Sequence, residues 1–306
     1  MQLSLFSVSY AGYWGQAQLD LPALIAKAAE LGYDGVMLAG KRPHLSPLDA
    51  SDDRIESIRA ALARHRIACS VVAGYTDLGP AATEVPYLEM QIAYVESLAR
   101  IAARLGAKVV RVFTAYEVAG VAPHALWSGV VRTLQEMCDR AAPHGITLAV
   151  QNHHDLAVHT DALLELLGDI DRSNCKVGFD AWSPFLRGED LYAAARKMAP
   201  HTAITTNADY ICLPRFRYDP ATVNYTRHEP DLARAVEFGT GQIDYTAFFR
   251  GLSEGGFAGI ASYEMCSPLR GGGSLENLDA CAAAYMRWMR ERGLSHAGVP
   301  VATPER

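Results

Sequence analysis

The sequence predicts a single (β/α)8 barrel of the TIM type, and two patterns carry that expectation. Eight short apolar runs alternate with longer stretches of helical period, the order expected of parallel strands joined by crossover helices. Several of the helical stretches end in glycine before the next apolar run, at Gly32, Gly106, Gly145 and Gly256, where a left-handed cap is open to a residue without Cβ. Eight such units fit a closed barrel better than an open sheet. No shift of composition along the 306 residues marks a second domain, so a barrel is expected over residues 1–294 and a loose tail over 295–306.

Each unit can be read in order. LSLFSVS (3–9) precedes LPALIAKAAELG, GVMLA (35–39) precedes DRIESIRAALARH, and ACSVVAG (68–74) precedes YLEMQIAYVESLARIAARLG. KVVRVFT (108–114) is followed by HALWSGVVRTLQEMCDRAAPHG, and ITLAVQ (146–151) by TDALLELLGDI. KVGFD (176–180) leads to DLYAAARKMAP, TAITTN (202–207) to DYTAFFRGLSEGG, and GIASYE (259–264) to NLDACAAAYMRWMRERG. Every helical stretch spaces apolar residues at i, i+3 and i+4, which lays one stripe on a sheet and leaves a charged face wet. The irregular unit is the seventh, where a polar connection rich in Pro, Arg and Tyr runs from Tyr210 to about Gly241 and reads as a long loop.

Charge and cysteine usage narrow the class. A net charge of -6 and a pI near 5.9 offer no general attraction to nucleic acid or anionic lipid. No run approaches the ~20 apolar residues of a membrane span. The start, MQLSLFSVSYAGYWG, lacks the basic and apolar regions of a signal peptide. The six cysteines are scattered without a CxxC pair, as expected of reduced thiols in a cytoplasmic protein. A small-molecule substrate is expected, and a homo-oligomer is compatible with all of this.

Active sites of such barrels lie at the C-terminal ends of the strands. Here those ends carry Gln151 with His153 beyond it, Asp180 followed by Trp182, Thr206 and Asn207 with Asp209 beyond, and Glu264. Alone, Asp180 reads as a turn-initiating acid and Glu264 as a solvated one. Together near a barrel axis they would repel, and a divalent cation with an amide oxygen from Gln151 is a natural remedy. Oxygen donors suit Mn2+ or Mg2+, and Zn2+ if a histidine joins. Strand alternation puts His153 on the side of Gln151, where an imidazole of ordinary pKa ~6.5 suits a proton acceptor. His154 is expected toward the helices or a neighbouring loop. His154, Trp182, Arg215, Arg217 in PRFRYDP, and His44 in AGKRPH are candidate substrate contacts, with Lys41 and Arg42 beside the last. Trp14, Tyr75, Tyr116, Trp182 and Phe185 could offer flat faces to a sugar ring. RGGGS near Gly271 lacks the context of a phosphate cradle, and Ser274 reads as a helix N-cap.

The stretches LGYDGVML (31–38), LGAKVVRVF (105–113), GITLAVQNH (145–153), KVGFDAWSP (176–184) and GTGQIDYTAFFRGLSEGGFAGIASYE (239–264) resemble the xylose isomerase-like barrel superfamily. That group contains sugar phosphate isomerases and epimerases, ketose 3-epimerases, inosose dehydratases and endonuclease IV. The resemblance covers nearly the whole chain. It implies a divalent metal held by an acid ending the fifth strand, an aspartate ending the sixth, a histidine on the seventh and a glutamate ending the eighth. Asp180 and Glu264 match; Gln151 stands in place of the first acid, and Thr206, beside Asn207, in place of the histidine. The implied ligand set is therefore Gln151, Asp180, Asn207 and Glu264. Epimerases of the group pair the glutamates of the fifth and eighth strands as acid and base, so the resemblance implies Glu264 and His153 as that pair here. The extra histidines of a trinuclear zinc site are missing, against endonuclease IV activity. The implied activity is isomerisation or epimerisation of a sugar or cyclitol through an enediolate. The alternatives are a lyase or dehydratase using the same enolisation, and a catalytically silent sugar-binding barrel.

Overall fold

The computed structural model describes residues 1–79 and 85–295; residues 296–306 of the expected tail lie outside them. Eight parallel strands close a barrel. Seven run in sequence: β1 (Gln2–Phe6), β2 (Gly35–Ala39), β3 (Ala68–Ala73), β4 (Val109–Val112), β5 (Thr147–Gln151), β6 (Cys175–Gly178) and β7 (Thr202–Asn207). A two-stranded excursion follows, β8 (Asp209–Asp219) and β9 (Asn224–Val236), before β10 (Ile260–Tyr263) completes the barrel. Closure is made at β1, whose Leu5 is registered with Val36 of β2 on one side and Tyr263 of β10 on the other.

Between the strands lie α1 (Leu21–Glu30), α2 (Asp52–His65), α3 (Val85–Arg104), α4 (Pro123–Ala141), α5 (Thr160–Ile170), α6 (Trp182–Leu186), α7 (Leu191–Met198) and α8 (Tyr245–Glu254). The last helix, α9 (Leu275–Glu291), follows β10. Side chains satisfy the first free N–H groups of several: Asp20 accepts from Ala23, Asp190 from Ala193, and Ser274 from Asn277 as expected. The four glycines expected to end helical stretches all take positive φ, from +67° to +86°. No helix among the described residues is long and apolar enough to cross a membrane.

Strand alternation splits the core in two. One set of side chains, among them Leu3, Val110, Val150 and Phe179, faces outward into the layer shared with the helices. The other set, including Phe6, Met37, Val71, Val109, Ala149 and Ile204, plugs the barrel interior. Polar residues near the C-terminal ends of the inward-facing set stand above that plug, and this stacking fixes where a site can form.

The connection expected as a loop is instead an antiparallel hairpin. Tyr218 pairs with Tyr225 and Phe216 with Arg227, and the ladder reaches from Asp209 to Val236 with a register shift between Leu213 and Arg215. Pro214 sits at that shift, where a missing N–H is tolerated. Charged residues along a strand pair that projects into solvent hide the period-two signal that marks a buried strand. The base of this hairpin, not its tip, reaches the barrel mouth.

Candidate active site

Two joined lobes open at the C-terminal end of the barrel. The first, about 220 Å³, is walled by Asp180, Thr206, Trp182, Tyr210 and Tyr245. The second, about 380 Å³, is walled by Lys41, Arg111, Trp14, Tyr75, Phe113 and Tyr116. Gln151, His153, Glu264 and Cys266 line both and form the junction. Each of β4, β5, β7 and β10 contributes through its inward parity, so Arg111, Gln151, Thr206 and Glu264 enter from the same face that carries Val109, Ala149 and Ile204 lower down.

Asp180 is held from several directions. Its backbone N–H donates to Asn152 Oδ1 at 2.9 Å, and Asn152 Nδ2 donates to its carbonyl at 3.0 Å. Gln151 Nε2 donates to the carboxylate at 2.7 Å and to Thr206 Oγ1 at 3.1 Å. Burial raises the Asp180 pKa to about 6, against the hydrogen bonds from Gln151 and Ser183. Glu264 rises to about 7, because it sits deep among protein atoms and feels the charge of Asp180, with Arg111 pulling the other way. The two carboxylic groups thus prefer to share protons near neutral pH.

Asn152, fully buried, was not singled out by its sequence context, yet it ties the ends of β5 and β6 together. Asn152→Ala should destabilise the protein by about 2–4 kcal/mol, because two buried backbone groups lose their partners. Urea unfolding checks this; a change under about 0.5 kcal/mol, the level of a neutral substitution, would contradict it.

The Asp180 pKa also sets a pH dependence. A carboxyl raised in the native state binds more protons there than in the unfolded chain, so the native state gains at low pH. Stability should fall as pH rises from about 4 toward 6 or 7, Asp180 alone accounting for about 3 kcal/mol at ~1.4 kcal/mol per pH unit. Unfolding of chelator-treated wild type and Asp180→Asn across this range checks it. The substitution should flatten the curve, and parallel curves would refute the assignment.

His153 lies over the junction, as expected, but its chemistry differs from the expectation of an imidazole with ordinary pKa. Burial, His154 and Arg111 lower it to about 3, so the ring is neutral at working pH and a weak base. Its Nδ1 accepts from the backbone N–H of His154 at 2.8 Å and faces His154 Nδ1 at 2.9 Å, leaving Nε2 for the cavity. His154 touches the larger lobe, yet its Nε2 meets the Thr76 carbonyl and its ring stacks on Tyr116 at 3.9 Å. That makes it a prop for His153.

The remaining candidates divide. Trp182 lines the smaller lobe and packs on Tyr210 at 4.4 Å, with Phe185 behind it. Asn207 faces away from the cavity: its amide donates to the Ser262 carbonyl and Tyr285 Oη and accepts from Thr205. Thr206 holds the inward position instead, as the parity of β7 requires. His44 is buried below the rim against the Leu19 carbonyl and lines neither lobe. Arg215 and Arg217 lie on the exposed part of the hairpin, where Arg215 donates to the Pro230 carbonyl; they too are outside both lobes. From AGKRPH it is Lys41 that reaches the cavity. Arg111 escaped notice although a charge flanked by valines in KVVRVFT, two residues before Phe113, marks it as inward-facing.

The donor set can be tested for a metal. Among the described residues there is no group of three or more His, Cys, Asp and Glu able to hold one. Asp180 and Glu264 nevertheless supply two hard oxygens, and Gln151 Oε1 beside them is buried without a hydrogen-bond partner. That orphaned carbonyl fits a hard dication as third donor, bound less tightly than by three carboxylates.

The model of the family described as xylose isomerase-like TIM barrel matches residues 25–292. No curated protein matches the sequence. Among solved structures, the chain is similar to D-psicose 3-epimerase of Clostridium cellulolyticum H10, with 17% identity and a TM-score of 0.73 over 96% of this chain and 100% of that one. The 3-keto-D-glucoside 4-epimerase YcjR of E. coli gives 15%, 0.71, 95% and 99%. The probable 3-DHS dehydratase AsbF of Bacillus anthracis gives 17%, 0.72, 95% and 100%. At these identities the likeness is one of fold.

Proposed function

Because this chain belongs to the xylose isomerase-like TIM barrel family, we propose that it is an isomerase or epimerase that moves a proton beside the carbonyl of a sugar or cyclitol. The observation that carries the reading is Glu264, a deep carboxyl with a pKa raised to about 7 at the junction of two lobes. An acid poised near working pH can take a proton from carbon and give it back. Return by Glu264 to the neighbouring carbon is isomerisation, while epimerisation needs a second proton source, solvent water, on the opposite face of the enolate. Sugar epimerases among the structural neighbours support the substrate class.

The other residues serve that transfer. Asp180, clamped by Asn152 and Gln151, keeps a second acid beside Glu264 and helps hold its pKa up. His153 offers Nε2 of a neutral ring to a substrate hydroxyl, and Trp182 offers a face to the apolar side of a sugar. Gln151, Asp180 and Glu264 would hold Mg2+ or Mn2+, hard ions that suit an all-oxygen donor set. When bound, such an ion polarises the carbonyl and stabilises the negative oxygen that develops there.

A dehydratase stands among the neighbours, and loss of a β-hydroxyl from the same enolate would give a lyase. Incubating the Mn2+-loaded protein with a panel of ketoses and following products by NMR separates the outcomes. New epimers or isomers support the reading, and an unsaturated product moves it to the lyase. Unchanged substrates across neutral and acidic keto-sugars would leave a binding protein.

A further inference from the structure

The larger lobe has a character that a neutral polyol does not explain. Lys41 Nζ lies over the Tyr75 ring at 3.6 Å from its centre, and the Arg111 guanidinium lies over Phe113 at 3.9 Å and Tyr75 at 4.9 Å. Arg111 is 2% exposed. Its Nη1 donates to the Gly74 carbonyl at 2.8 Å, while its Nε and Tyr75 Oη are buried with no hydrogen-bond partner. Neither cation stands in an ion pair among the described residues; the 16 ion pairs found there involve neither Lys41 nor Arg111.

A guanidinium withdrawn from water costs several kcal/mol unless something answers its charge. Aromatic faces answer part of it. Glu264 answers another part from across the junction, through its charge and without forming an ion pair. A second cation beside the first makes the arrangement worse for the free protein, and burial together with Arg111 lowers the Lys41 pKa accordingly. Two cations without an ion pair, Lys41 and Arg111, therefore line one lobe, with the Tyr75 hydroxyl beside the guanidinium. Binding sites are where such polarity is left to be completed by a ligand.

We propose that Lys41, Arg111 and Tyr75 form a subsite for a carboxylate carried by the substrate, so that the protein acts on a keto-sugar acid in preference to a neutral ketose. This rests on the proton-transfer reading above, since it places the carboxylate in the larger lobe and the reacting carbon at Glu264. Two carboxylate oxygens match two cations and one hydroxyl. A phosphate monoester shares the charge but carries three terminal oxygens in place of two, and the titration below separates the two anions.

The test is calorimetric titration of the whole protein with 5-keto-D-gluconate, D-fructose and D-fructose 6-phosphate, repeated on Lys41→Met and Tyr75→Phe, which spare the buried arginine. The acid should bind at least about tenfold more tightly than fructose, and Lys41→Met should remove most of that advantage, as expected for a hydrogen bond to a charged group. Equal binding of acid and fructose overturns the subsite, as does an equal loss of both in Lys41→Met. A preference for the phosphate over the acid overturns the carboxylate assignment. Proton exchange in D2O, followed in the same samples, keeps the two proposals apart. Charge-selective binding without exchange refutes the enzyme reading alone, and exchange on the acid indifferent to Lys41→Met refutes the subsite alone.

Discussion

Glu264→Gln, assayed at saturating Mn2+ because it also removes one of the two carboxylates that would hold the ion, is expected to lower kcat by about 10³-fold, within the 10²–10⁴-fold range of a lost general acid–base group, while KM changes little. Glutamine keeps the length and the polar tip but cannot take or return a proton. The environment that raises the glutamate to about 7 is burial and the charge of Asp180, and both remain in the variant. A loss confined to KM would mean that Glu264 only binds substrate. A circular dichroism spectrum and an unfolding curve like those of the wild type exclude a folding defect.

Asp180→Asn should have the second largest effect, and by a different route. Asparagine can still meet the amide of Asn152 through its backbone and can still accept from Gln151 Nε2, so the clamp between the ends of β5 and β6 survives. The charge does not. A set of two carboxylates and one amide oxygen then falls to one carboxylate, and Mn2+ affinity should drop at least about 100-fold, beyond the 10–100-fold typical of losing a mere supporting group. Metal content after gel filtration, with titration of the chelated protein, measures this. The Glu264 pKa should fall as well, because the neighbouring charge that lifts it is gone. Unchanged Mn2+ binding would show that any ion held by the protein lies elsewhere.

The two results together distinguish proton transfer from ion binding. If Asp180→Asn loses both metal and turnover while excess Mn2+ restores turnover, the aspartate acts through the ion. If turnover is lost with metal retained, its part is electrostatic, through Glu264.

The barrel was legible because its eight strands are buried and apolar and its helices amphipathic, so period and burial agree in every unit. The hairpin was not, because strands that project into solvent, such as those carrying Arg215, Arg217 and Arg227, do not need the alternation that a core imposes. Within the site, strand ends and parity located Gln151, Asp180 and Glu264. Parity also separates Thr206 from Asn207, since only one of two neighbours on a strand can face the axis. The His153 pKa could not be read from the sequence: it depends on depth, on a second ring, and on Arg111 of the neighbouring strand β4. Arg111 was visible in KVVRVFT as a charge in an apolar strand, a pattern that signals an inward site residue as much as an edge.

Gln151 marks how this chain departs from the ligand set its resemblance implies. Its amide nitrogen bonds Asp180 and Thr206, so it organises those positions directly while its oxygen stays free. A carboxylate there would add a third negative charge beside Asp180 and Glu264. With glutamine the site carries less charge, binds an ion less firmly, and leaves one carboxyl of the usual pair to move the proton.

The most direct test of the account is proton exchange between solvent and the carbon beside a carbonyl. Wild type loaded with Mn2+ and incubated in D2O with 5-keto-D-gluconate and with D-fructose should place deuterium on that carbon at a rate that Glu264→Gln reduces by about 10³-fold. Deuterium incorporated equally fast by Glu264→Gln would contradict the account, as would its absence from every keto-sugar that binds the wild type.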